Sequence, residues 1–319
     1  EMINRKKIVV TLVGMIGLTG SVSAQDNISD FFEAHRQRIA HINDDTNVDY
    51  FGKREIGYKQ RENFRSNSSG DTTYFDSDSQ HIIGFQLKND IRVGGSLGYS
   101  RINTERNDER EKLKTTLFTY GGFVEKGKVD QSGLQLHYDV LFGSGSDKSQ
   151  RKAFDGKTKG RTDISSQTHN AIVGYGFEVS KKTLLTPYGG IRYSELQWDN
   201  WHEKKGSAPY SYEKTDTSVV DMILGLKVRH QINPKLTLRG SLGVEHELHR
   251  NKDQLTITQG GNRLFDRENK GLSGVQPFAT IGLDWKRKPN HYVSVGLRWR
   301  DTDQAGDEFT FYWGFIRTF

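Results

Sequence analysis

From Tyr50 to the C-terminal Phe319 the apolar residues of this chain recur with a period of two. Leu134, Leu136, Tyr138, Val140 and Phe142 alternate with Gln135, His137, Asp139 and Leu141. Val220, Met222, Leu224, Leu226 and Val228 alternate with Asp221, Ile223, Gly225 and Lys227, and Val293, Val295, Leu297 and Trp299 with Ser294, Gly296, Arg298 and Arg300. Strands with one greasy and one wet face fit a soluble antiparallel sandwich or a transmembrane barrel. Run length separates the two. The stripes extend over about nine to eleven residues, which a tilted strand needs to cross a bilayer, whereas globular strands run nearer five or six. Aromatics (Tyr99, Phe142, Trp198, Trp285, Trp299, Phe319) gather toward stripe ends, as interfacial girdles require.

Composition sharpens this reading. With 27% charged and only 33% hydrophobic residues the chain could pass for a soluble or partly disordered one, and no mature segment approaches the ~20 apolar residues of a membrane helix. Yet Gly occupies 34 of 319 positions, against a usual share of ~7%, aromatics reach 11% and Pro only 5 residues, a mixture suited to many strands. The absence of cysteine excludes a disulfide framework, a thiolate metal site and a Cys nucleophile. Arg5, Lys6 and Lys7 precede the apolar run Ile8 to Leu18 and small residues ending in Val22-Ser23-Ala24. That is a cleavable export signal over 1–24, with Gln25 as the mature start. Without it, 43 Lys and Arg face 39 Asp and Glu, a balance that does not call for nucleic acid.

Residues 25–51 form a separate segment. Phe31, Phe32, Ile39 and Ile42 fall at mostly helical spacing behind Ser29 as a cap, which predicts a helix from Asn27 to about Asn43. Residues 52–319 divide into twelve strand-like segments, about 53–65, 80–89, 91–104, 112–126, 131–145, 162–180, 183–200, 215–231, 235–255, 272–287, 291–301 and 307–319. Tight turns (Lys88-Asn89-Asp90, Ser180-Lys181-Lys182, Gln231 to Pro234, Lys288-Pro289-Asn290) alternate with long polar excursions around 66–79, 146–161, 200–214 and 252–271. An even strand count, short turns on one side and long loops on the other describe an all-β, twelve-stranded antiparallel barrel of the bacterial outer membrane. Closure then pairs the last segment with the first and leaves no edge.

At this point the chain resembles the autotransporter β-domain, the translocator of type V secretion. The resemblance rests on the helix before strand 1, GLQLHYDVLFG (Gly133 to Gly143), TPYGGIRYSELQWD (Thr186 to Asp199), VQPFATIGLDW (Val275 to Trp285) and the ending YWGFIRTF (Tyr312 to Phe319). It implies a monomer exported through Sec and periplasmic chaperones, whose helix lies in the lumen and whose barrel carries a passenger polypeptide across the membrane. It also implies that Phe311, Trp313, Phe315 and Phe319 are read by the barrel assembly machinery. Fewer than thirty residues separate Gln25 from strand 1, so the expectation is a barrel with no passenger domain in this chain, which leaves open a passenger polypeptide in trans. Some members cut themselves at an Asn in the lumenal helix; Asn43-Asp44 lies near that place, but the surrounding motif does not match.

Alternation points thirteen charged side chains inward: Arg92, His137, Asp139, Glu178, Arg192, Asp221, Lys227, Arg229, Arg239, Glu245, Asp284, Arg298 and Arg300. Confined charges persist when paired, so the expectation is a cross-linked, solvated interior without metal or cofactor. A hydrolase would need a base, an orienting acid and a nucleophile together. No such trio is fixed by the sequence, and neither His246 nor GKREIGY (Gly52 to Tyr58) carries the motif of an outer-membrane lipase or protease. Two readings besides translocation remain open: a plugged surface barrel acting through its loops as an adhesin or structural protein, and a small passive pore. The excursion Ser146 to Arg161, with six cations, could hold lipopolysaccharide phosphates or a host polyanion. Trp198, Trp201, Tyr210 and Tyr212 are expected in the outer girdle.

Overall fold

The computed structural model describes residues 56–319, apart from short stretches at 68–71, 107–110, 129, 154–155, 207, 252–253, 269–273 and 303–305, together with Phe31, Phe32, His35, Arg36 and Ile39. Twelve strands close into one antiparallel barrel. They are β1 (Ile56–Asn67), β2 (Thr72–Gln86), β3 (Ile91–Arg106), β4 (Glu111–Lys126), β5 (Gly133–Ala153), β6 (Gly156–Ser180), β7 (Thr183–Trp198), β10 (Thr215–Asn233), β11 (Leu236–Arg250), β14 (Val275–Lys288), β15 (His291–Thr302) and β16 (Gly306–Thr318). Between them, β8 (Trp201–His202), β9 (Ser211–Tyr212), β12 (Gln254–Gln259) and β13 (Asn262–Glu268) form a small separate sheet.

The seam runs from Gly57 opposite Thr318 to Asn67 opposite Glu308. The last residue is stitched in as well, since the Phe319 amide donates to the Ile56 carbonyl at 2.9 Å. Both chain ends of the barrel therefore lie at one end, shared with the tight turns. At one turn Asn89 and Asp90 adopt φ of 60° and 57°, the paired left-handed conformation of a two-residue hairpin that Asn and Asp tolerate best. At another the Asn233 side chain accepts from the Lys235 and Leu236 amides, a local turn that Pro234 can enter because it has no amide to satisfy.

Outward positions carry the greasy face. Phe309, Phe311, Trp313 and Phe319 are exposed on β16 and at its end, as are Leu134, Leu136 and Tyr138 on β5 and Ile281, Leu283 and Trp285 on β14. The same parity buries Tyr312, Ile316, Asp139, Asp284 and Gln276 toward the axis.

Two expected excursions are strand instead. β2 begins at Thr72, so most of 66–79 belongs to the wall. The β5–β6 hairpin stays paired from Gly133 opposite Gly176 up to Ala153 opposite Gly156, so 146–161 is a sheet extension rather than a loop. The β5–β6 extension lies beyond the greasy band, where neither face need be apolar; on β2 the alternation signal fades because its outward Ser77 and Ser79, beside Phe64 and Glu62, are polar. The stretches 200–214 and 252–271 contain the small sheet, whose β12 pairs with β9.

One outward position breaks the pattern. Glu62 stands opposite Trp313, in the middle of the terminal aromatic stripe, and accepts from Gln60 at 3.0 Å and Ser79 at 2.7 Å. A carboxylate on a lipid face costs energy, though less than Arg or Lys would at mid-depth. Replacing Gln60 and Glu62 together by Leu should therefore raise unfolding free energy by about 1 kcal/mol, read from urea titrations in lipid vesicles; a loss of stability would mean that this face does not meet lipid.

Candidate functional site: the barrel lumen

Alternation drives polar side chains toward the axis, and the structure pairs them. Arg192 on β7 reaches Asp221 on β10 at 3.0 Å and Glu245 on β11 at 2.9 Å, while Arg300 on β15 reaches the other Glu245 oxygen at 3.1 Å. Arg239 meets Asp284 at 2.6 Å, and Ser294 donates to the same carboxylate. Arg92 meets Glu125 at 3.2 Å. His137 lies between Glu125, 2.9 Å from Nδ1, and Asp139, 2.6 Å from Nε2. Ionised carboxylates accept only, so this setting favours a ring that donates from both nitrogens, the imidazolium. In that state it has no lone pair to act as a base. Asp139 also accepts from Asn170.

The other expected residues behave differently. Lys227 lies 5.0 Å from the Tyr188 ring, and with Lys59, Arg61, Arg229, Arg239 and Arg298 it lines a cavity in the half nearer the turns. Six cations line that cavity among the described residues, one of them, Arg239, being also the partner of Asp284. Glu178 sits exposed at the turn end, beside Lys181, Lys182 and Arg229. Missing from the sequence-based set are Glu125, Asp147 and the β1–β2 group in which Arg65 and Asn63 both bind Asp78. Polar outward residues on β1 and β2 hide which face of those strands turns inward; parity counted from Phe64 would have found them.

Toward the loop end the wall turns apolar. Ile102, Leu113, Leu117, Ile164, Leu196 and Trp198 point inward and surround Phe31, Phe32 and Ile39. The expected helix at 27–43 falls mostly outside the described residues; those of its positions that are described are helical and buried. His35 is fully buried, 2.7 Å from Thr104 Oγ1 and 2.6 Å from Thr115 Oγ1, and Asp147 lies 3.4 Å from Nε2. Asn43 lies outside the described residues.

The girdle assignment of four aromatics is corrected here. Trp198 is 4% exposed, packs edge-on against Phe32 and stacks on His35. Trp201 and Tyr212, both in the small sheet, stack at 4.1 Å and touch Phe32, and Tyr210 leans on Tyr212. These rings seal the apolar plug instead of meeting the bilayer edge. Glu203, 1% exposed, ties the small sheet to the wall through Arg151 at 2.8 Å and accepts from the Tyr210 amide. Burial, with the Glu203 charge beside it, pushes the Tyr212 hydroxyl well above its usual range, so it stays a donor.

Lumenal glycines do not leave the axis empty either. Gly94, Gly225, Gly243 and Gly296 each have an aromatic ring as direct cross-strand partner: Phe123, Tyr188, Phe278 and Tyr312. A Cβ on Gly296 would lie 2.2 Å from the Tyr312 hydroxyl, and one on Gly94 2.4 Å from Phe123. The small residues are seats for rings.

Comparison with known proteins agrees with this architecture. The translocator domain of the autotransporter NalP from Neisseria meningitidis superposes with a TM-score of 0.71 at 16% identity, covering 92% of this chain and 98% of that one. The β-domain of the Bordetella autotransporter BrkA gives 0.63 at 12%, over 83% and 100%, and the transport unit of AIDA-I from Escherichia coli 0.57 at 10%, over 88% and 97%. No match is found among curated proteins at the level of sequence. The family model described as autotransporter beta-domain matches residues 57–298. A closed twelve-stranded wall and a match across most of its length make this chain a member of the autotransporter β-domain family, outer-membrane barrels of type V secretion.

Proposed function

We propose that the barrel carries or displays a polypeptide at the cell surface through its own lumen. One observation carries this reading. β1 starts at Ile56, at the turn end beside Phe319, while Phe31 and Phe32 pack against Trp198, Trp201 and Tyr212 at the loop end. Ile39 and Ile56, seventeen positions apart in sequence, thus stand toward opposite ends of the barrel. In a barrel with short periplasmic turns the loop end faces outward, so on this reading a polypeptide extended ahead of Phe31 would leave the barrel on the outer side. A polypeptide attached there, or one captured in trans, follows the same path.

The test is an epitope placed after Asp26. Antibody should label it on intact cells, while the same epitope between Lys181 and Lys182 should be labelled only after the outer membrane is opened. If the tag at Asp26 is hidden until the membrane is opened, the lumenal path is wrong. A second reading, a plugged barrel working through its outer surface, draws support from the small sheet packed over Phe32. It predicts that no polypeptide fused ahead of residue 25 reaches the surface.

The terminal stripe Phe311, Trp313, Phe315 and Phe319 is proposed as the assembly signal. Burial of one aromatic stabilises by only about 1.5–3 kcal/mol, so removing Phe319 should lower outer-membrane yield in cells while barrels refolded in detergent stay nearly as stable. Equal yield in cells would remove the role.

A further inference from the structure

The β5–β6 extension carries cations in an order that cross-strand pairing disfavours. Lys114 on β4 stands opposite Lys148 on β5, which stands opposite Arg161 on β6. One step further out Lys159 bridges Lys204, with backbone bonds of 3.0 and 2.7 Å in both directions. All five side chains are exposed. Neighbouring strands lie only ~4.8 Å apart, and like charges directly opposite each other destabilise a sheet. Among the described residues none of Lys114, Lys148 and Arg161 has an ion-pair partner, and Asp163 is the acid two residues below Arg161 on the same face. A row of this kind is stabilised by an anion that bridges it.

Position selects the anion. Directly below the row, Phe118, Tyr120 and Phe142 form a continuous exposed ledge, with ring centroids 6.4 and 5.6 Å apart. Lys114 is four residues beyond Phe118 on its strand and Lys148 six beyond Phe142. At ~3.3 Å per residue and a tilt of about 40°, the cations stand roughly 10–15 Å above the ledge. That is the headgroup layer of the outer leaflet. A ligand that meets both features has acyl chains below and phosphates above. We propose that the outward face of β4, β5 and β6 binds lipopolysaccharide, with its phosphate groups on Lys114, Lys148 and Arg161 and its acyl chains against Phe118, Tyr120 and Phe142. This rests on the outer-membrane setting and is independent of what the lumen carries.

The test uses the whole barrel folded in lipopolysaccharide-free detergent, with bound glycolipid counted by native mass spectrometry across a titration. Lipopolysaccharide should bind, and the triple variant Lys114→Ser, Lys148→Ser, Arg161→Ser should weaken it at least tenfold. Removing its phosphates should weaken binding to the unmodified barrel by a similar factor. The control Lys181→Ser, Lys182→Ser, at the opposite end, should leave binding unchanged. Should the triple variant fail to reach the folded, heat-modifiable form, Lys148→Ser alone should still weaken binding about threefold. Equal binding by the folded variant overturns the proposal. So does heparin that binds as tightly as lipopolysaccharide and displaces it, which would make this a face for soluble polyanions.

Discussion

Replacing Arg192 by Met should destabilise the barrel by about 3–5 kcal/mol, because it leaves Asp221 and Glu245 facing each other with one cation fewer. The three residues are 2%, 9% and 5% exposed, so water cannot take over the lost hydrogen bonds. The energy lies in the uncompensated charge, not in the pair as such. Converting Arg192 and Asp221 together to Met and Leu, which leaves Glu245 to Arg300, should accordingly return most of the stability. Equilibrium unfolding in urea from lipid vesicles, with the slope checked for constancy, reads both numbers. If the single and double variants are equally unstable, the loss comes from packing rather than electrostatics.

Deleting Asp26 to Asp45 should open the lumen. Phe31, Phe32, His35 and Ile39 occupy its loop-end half, held by side-chain contacts to the wall and by the small sheet above. Barrel closure does not depend on them, since the twelve strands pair among themselves. Single-channel conductance in planar bilayers should rise several-fold while heat-modifiable migration persists. The cavity thus opened is lined by Lys59, Arg61, Lys227, Arg229, Arg239 and Arg298, so the current should favour anions. A large current before deletion that the deletion leaves unchanged would favour a passive pore and end the plug argument.

The parts of the fold legible in the sequence are those a bilayer makes obligatory. Along Leu134 to Phe142 or Val275 to Trp285, lipid on one side and a polar lumen on the other leave each position little choice, and both runs lie in strands. Beyond the bilayer the constraint lapses. Most of Ser146 to Arg161 is strand with polar residues on both faces, and composition reads it as loop; Thr72 to Ser79 misled because outward Ser77 and Ser79 and inward Asp76 and Asp78 are all polar. Trp198 misled for a different reason. A tryptophan ending a stripe suggests a girdle, but it shares parity with Arg192 and Ser194, which are buried inward. The lumen becomes apolar where Phe32 packs, and that change depends on a segment more than 150 residues away in the chain. Among the charged residues, inward parity was readable; the grouping of Arg192 with partners on two further strands required the register.

The four glycine–ring pairs have a consequence for assembly. Each ring has a glycine directly opposite: Phe123 opposite Gly94, Tyr188 opposite Gly225, Phe278 opposite Gly243, Tyr312 opposite Gly296. A slip of two residues between β15 and β16 would keep every greasy side chain on the lipid face, so hydrophobicity alone cannot detect it. It would, however, drive the Tyr312 ring into Ser294 or Arg298 in place of Gly296. The rings therefore act as indexing pins, one at each of four interfaces spaced around the wall. They reject the errors that period-two patterning lets through, in a barrel whose closure depends on the cumulative stagger of all twelve strands.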